Sequence, residues 1–110
     1  MNFNETQDKI GRFVKQKKIE TSLEIRTLDL VSEVGELAKE IIKSTNYGKK
    51  DFCQTDNFTA ELGDILFSVI CIANKQSIDL DVCLNNTLEK YEQRYINSQR
   101  IDSGYQTLQN

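Results

Sequence analysis

Hydrophobic positions recur at helical spacing through most of this chain, and the polar residues between them mark where helices start and stop. Ile10, Phe13 and Val14 define a first helix, with Asn4 and Gln7 as its capping box and the basic stretch 15–18 at its end. Leu30, Val34, Leu37 and Ile41 define a longer second helix, opened by Thr21 with Glu24 and stopped by Asn46 and Gly48. Residues 47–55 read as a connection. Asp56 or Asn57 caps a third helix running to about Lys75, and Ser77 or Asp79 opens a fourth, with Leu80, Leu84, Leu88, Tyr91 and Tyr95 on one stripe. There is no proline to interrupt these helices. With no repeat or linker, the reading is all-α: one four-helix bundle over residues 1–102, followed by a polar tail, 103–110, expected to fray.

The third helix is apolar on more than one side. Leu62, Ile65, Leu66, Val69 and Ile72 fill one face, while Phe67, Ile70 and Cys71 lie on another. A chain of 110 residues can hardly surround one of its own helices, so part of the cover around Phe67, Ile70 and Cys71 is expected from a second copy. The expected assembly is a homo-oligomer.

Charge and composition narrow the function. Lys and Arg total 14 against 17 Asp and Glu, a net charge of −3, which offers no basic field for nucleic acid. The absence of histidine removes Ser-His-Asp and Cys-His catalysis and histidine metal ligands. Cys53, Cys71 and Cys83 form no CxxC pair and fit neither a disulfide framework nor a zinc site; Cys71 and Cys83 fall near core positions as small hydrophobes. The first 18 residues have no apolar core of a signal peptide, and the longest apolar run, 65–73, is far short of the roughly 20 residues that cross a bilayer. A soluble, cytoplasmic protein without a membrane partner is expected.

The acids carry the chemistry. At about 100° per residue, Asp29, Glu33, Glu36 and Glu40 share an arc of about 60° beside the apolar stripe of the second helix. Asp29/Glu33 and Glu36/Glu40 are like charges at i,i+4, each destabilising an isolated helix by roughly 0.2–0.5 kcal/mol, so something positive should offset them. Glu61 and Asp64 repeat the pattern at i,i+3 on the third helix. If the two helices pack antiparallel, these acids face each other and form an all-oxygen cage that suits Mg²⁺ or Mn²⁺ better than zinc or copper. Asp29 reads as a surface acid. Glu40 reads either as a further ligand or base, or as the exposed partner of Lys43.

The stretch Glu33-Val34-Gly35-Glu36 and, after 24 intervening residues, Glu61-Leu62-Gly63-Asp64 resembles the ExxE…ExxD pattern of MazG-like nucleoside triphosphate pyrophosphohydrolases. The likeness covers about residues 20–96, including Ile78-Asp79-Leu80 and, more loosely, Lys90 and Arg94. It implies an all-α bundle assembling as a homodimer or homotetramer, with Mg²⁺ held by Glu33, Glu36, Glu61 and Asp64. The implied reaction cleaves a nucleoside triphosphate between its α and β phosphates to the monophosphate and pyrophosphate, with Glu33, Glu36 or Glu40 accepting a proton from the attacking water.

Lys90 and Arg94, i,i+4 neighbours on the fourth helix, are placed to meet the phosphate chain beyond the metals, or else form a solvated face with Glu89 and Glu92. Glu92 departs from relatives with a neutral amide there. The same superfamily holds dUTPases and phosphoribosyl-ATP pyrophosphatase, so narrower dUTP, dCTP or phosphoribosyl-ATP substrates stay open, as does a non-catalytic interaction module.

Overall fold

In the computed structural model, which describes residues 2–101, the chain forms four helices: α1 (Phe3–Gln16), α2 (Leu23–Ser44), α3 (Asp56–Lys75) and α4 (Leu80–Ile101). No strand occurs among the described residues. The tail expected to fray, 103–110, lies outside them.

Each helix begins beside the residue the sequence suggests. Asn2, not Asn4, caps α1, its side chain accepting from the backbone N–H groups of Asn4 and Glu5. Ser22, not Thr21, caps α2 through Ile25 N–H, and Thr55, not Asp56 or Asn57, caps α3 through Phe58 N–H. Asp79 does open α4, accepting from Val82 N–H at 3.1 Å. After α2 the backbone turns through positive φ at Asn46, Tyr47 and Gly48, the left-handed geometry that asparagine and glycine tolerate best.

Pairs across the seam fix how α2 lies on α3. Glu40 meets Thr55, Glu33 meets Glu61 and Asp64, and Arg26 meets Phe67, so one helix number falls as the other rises and the two run antiparallel. α1 crosses α3 further along, where Phe13 meets Phe67 edge to face with centroids 6.4 Å apart. Ile70, 1% exposed, and Ala73 form the fully buried apolar core, with Ser68 beside them.

The expected sidedness of α3 is met only in part: Ile65, Val69 and Ile72 are half-buried, but the rest differs. Ile70 is covered by the chain itself, and Phe67 and Cys71 are half-buried against α1 and α2. The open positions are Leu62, 51% exposed, and Leu66, members of the face assigned to the core. On α2, Val31, Val34 and Ile41 are likewise open. On the helix wheel these residues lie along one edge of the α2/α3 seam and the carboxylates along the other.

α4 departs most from a closed bundle. Its stripe of Leu84, Leu88, Tyr91 and Tyr95 is about half exposed, and Cys83, expected near the core, is also exposed. The radius of gyration, 18.1 Å, exceeds the roughly 13 Å of a compact domain of this size.

What holds α4 is a clasp at its first turn. The buried Gln7 donates from Nε2 to Asn74 Oδ1 at 3.0 Å and to the Ile78 carbonyl at 2.8 Å, and its Oε1 accepts from Leu80 N–H at 3.0 Å. Asn74 Nδ2 returns a bond to the Gln7 carbonyl, and Phe3 N–H donates to Asp81 Oδ1. Gln7, expected in a capping box, instead ties α1 to the turn between α3 and α4. Leucine at this position fills similar space but leaves those groups unpaired, so Gln7→Leu should lower stability by about 2–4 kcal/mol. Urea unfolding at unchanged m-value is the check.

Candidate carboxylate site

The acids of α2 and α3 meet because the antiparallel register sets residue 33 against residues 61 and 64. One carboxylate oxygen from each of Glu33, Glu61 and Asp64 lies within 4.8 Å of the others. Glu33 and Glu61 are half-buried and Asp64 is exposed, so the cluster sits in a groove open to solvent. Among the described residues no lysine or arginine forms an ion pair with any of the three.

Glu36 stands one turn along α2, outside this group, exposed and 3.8 Å from Lys39 Nζ, yet close enough for its charge to act on Glu61. Glu40 belongs elsewhere. Its side chain is only 12% exposed, pairs with Lys43 at 3.6 Å and accepts from the Thr55 hydroxyl at 3.2 Å. It is thus the partner of Lys43, as one reading held, but it is not exposed, and it braces the N-cap of α3. Asp29 is exposed.

Lys90 and Arg94 are not brought to the carboxylates within the chain. Both lie by the Tyr91 ring, Lys90 Nζ 5.3 Å and Arg94 Cζ 5.9 Å from its centroid, on the part of α4 that projects from the other helices. Tyr91 and Tyr95 are half exposed. Cys71 is half-buried beside Arg26; burial pushes its thiol up, against the lowering effect of the guanidinium. That is the opposite of an activated nucleophile.

Burial first, and then the charges of Glu33, Asp64 and Glu36, push the Glu61 carboxyl above the ordinary 4.5. The donor set fits a hard divalent cation. Oxygens around Mg²⁺ stand about 3 Å apart when adjacent and about 4 Å when opposite, so a group lying within 4.8 Å of one another has to draw in by an ångström or two to close on one ion. The ligands are all oxygen, none forms an ion pair among the described residues, and the carboxyl of one is raised by burial and by its neighbours' charges.

An all-α chain whose acids converge in one groove between two antiparallel helices defines a class of helical domain with an anionic centre for a cation. The comparisons with known proteins give the family. The MazG nucleotide pyrophosphohydrolase domain matches residues 21–98, so this chain belongs to that family. The uncharacterised YpjD of Bacillus subtilis (strain 168) is 34% identical over 68 residues, 59% of this chain and 60% of that protein, so the match spans less than two thirds of that relative. A crystal structure of a Bacillus-conserved MazG protein, a nucleotide pyrophosphohydrolase, has TM-score 0.68 at 30% identity, covering 83% of this chain and 89% of that one. That of YPJD from Bacillus subtilis, a candidate pyrophosphatase, has TM-score 0.69 at 26% identity, covering 83% and 95%. No described helix is long and apolar enough to cross a membrane.

The raised Glu61 value has a testable sign. The folded state holds this proton more tightly than the unfolded chain, so the stabilising contribution is complete below pH 4.5 and is lost as pH rises through the raised value. In metal-free protein Glu61→Gln should therefore raise the urea midpoint at pH 7 and make no difference below pH 4.5. A pH series of unfolding curves checks this.

Proposed function

We propose that this chain hydrolyses nucleoside triphosphates between the α and β phosphates, yielding monophosphate and pyrophosphate, with Mg²⁺ as cofactor and Mn²⁺ as a substitute. The observation that carries the reading is the convergence of Glu33, Glu61 and Asp64 within 4.8 Å, with no ion pair to any of them among the described residues, in a chain of the MazG family. Glu33, Glu36, Glu61 and Asp64 would hold the metal. When bound, it supplies charge neutralisation for the phosphates and a lowered pKa for water. Of the three candidate bases, Glu33 is in the cluster and Glu40 is engaged by Thr55 and Lys43. Glu36, outside the three-acid cluster and with the exposed Lys39 as its ion-pair partner among the described residues, would keep one carboxylate oxygen to accept a proton beside the one it gives the metal. Lys90 and Arg94 would meet the phosphate chain at its end remote from the acids.

The working form is a homo-oligomer, a dimer or tetramer. Leu62 and Leu66 of α3, Val31 and Val34 of α2 and the α4 stripe leave more apolar surface open than a small monomer normally exposes. Gly35 and Gly63 support the same view. Each sits in a helix interior at a cost of roughly 0.5–1 kcal/mol relative to alanine, and nothing in the chain lies within 4 Å of a Cβ built there. Packing within one copy gives no reason for glycine; close approach by a second copy does.

A panel of nucleoside triphosphates with Mg²⁺, scored for pyrophosphate against orthophosphate, tests the reaction. Pyrophosphate is expected, and orthophosphate as the first product would move cleavage to the terminal phosphate. Activity confined to dUTP, dCTP or phosphoribosyl-ATP would mark a narrower enzyme, and none at all an interaction module. Asp64→Asn and Glu36→Gln should each cost about 10²-fold or more in kcat, and Asp64→Asn should also abolish the rise in Tm that millimolar Mg²⁺ gives the native protein. Lys90→Ala or Arg94→Ala should weaken every accepted triphosphate by a similar factor. In sedimentation, Leu62→Glu should shift the protein towards the monomer.

A further inference from the structure

We propose that the chain has a second site, in the hollow where α1 crosses the α2/α3 seam, that binds a small phosphate-bearing molecule. The hollow has a volume of about 220 Å³ and is lined by Arg26, Lys75, Thr21, Glu20 and the apolar Val14 and Cys71. A wider, more open hollow of about 410 Å³ adjoins it, sharing Gly11, Glu20 and Asn74 and adding Arg12, Lys15 and Asp8.

Arg26 is held in place without being neutralised. Its Nη2 donates to the Ile19 carbonyl at 3.2 Å, and its guanidinium lies over the Phe67 ring, 5.7 Å from the centroid. Neither Arg26 nor Lys75 forms an ion pair among the described residues. In the first hollow two cations face one carboxylate, and in the second Arg12 and Lys15 face Asp8 and Glu20. A chain of net charge −3 thus gathers positive side chains at one end of the seam. Seven residues of α2, about 10 Å, separate Arg26 from Glu33 and the acidic groove. A fixed guanidinium with an ammonium beside it in a recess is the donor set that phosphate oxygens recognise.

Gly11 is the second observation. It lies inside α1, where glycine costs helix stability, yet a Cβ there would meet Asn74 Nδ2 at 3.5 Å, an ordinary contact. Packing of α1 on α3 does not require glycine, and at this position, which lines both hollows, a long side chain would take up their space. α1 also lies outside the residues, 21–98, that carry the family match. The site stands on its own residues, whether or not the acids hydrolyse a triphosphate.

Binding is measured on metal-free protein by amide chemical shifts, titrating orthophosphate, pyrophosphate and adenosine monophosphate separately. Saturating shifts at Gly11, Thr21 and Arg26 are expected with all three. Lys75→Gln, an exposed substitution that leaves the fold intact, and Gly11→Leu should each weaken binding by about tenfold, while Glu61→Gln in the acidic groove leaves it unchanged. Saturation by the monophosphate alone, with pyrophosphate silent, overturns recognition of the phosphate group. So does binding that Lys75→Gln does not alter, or no saturation with any of the three in the millimolar range.

Discussion

The antiparallel contact of α2 with α3 is the constraint on which everything else rests, and it joins two opposed tendencies. Along its length apolar side chains leave water, a gain of roughly 25 cal/mol for each Å² buried. The same register drives Glu33, Glu61 and Asp64 together against their mutual repulsion. Neither helix could relieve that repulsion by sliding without taking its apolar residues out of register. Burial and, after it, the neighbouring charges raise the Glu61 carboxyl, and any bound cation would convert that repulsion from a liability into binding energy.

The two edges of this seam differ in character. On one, carboxylates open to solvent; on the other, Val34 and Leu62 stand uncovered. The ends differ too, since acids gather near the middle of α2 while Arg12, Lys15, Arg26 and Lys75 collect where α1 crosses. A chain this short lacks the material to enclose its own helices, and what it leaves open is sorted by chemistry.

Much of this was legible beforehand for identifiable reasons. Four helices followed from apolar spacing, and the carboxylate groove from i,i+3 and i,i+4 acids beside apolar stripes, because helical geometry turns sequence intervals into neighbours. The caps shifted by one or two residues, since Asn2 and Asn4, Thr21 and Ser22, or Thr55 and Asp56 are similar in capping chemistry and only backbone geometry chooses between them. The covered side of α3 was read correctly only in part because its apolar residues spread too far around the helix to point anywhere. Gln7 bonds to residues 67 to 73 positions away, and no local pattern announces such a partner. Glu40 was ambiguous for the same reason, its second partner Thr55 lying across the connection.

The Gln7 clasp also has a mechanical meaning. α4 is a stiff rod held at one end, and at 1.5 Å per residue Lys90 stands about 15 Å and Arg94 about 21 Å from Leu80. A tilt of 10° at the pivot would carry Arg94 sideways by about 4 Å, more than the length of a hydrogen bond. The aim of two cations is thereby entrusted to an amide on another helix, and a fault of a few degrees at Gln7 would be read out, magnified, where the rod ends.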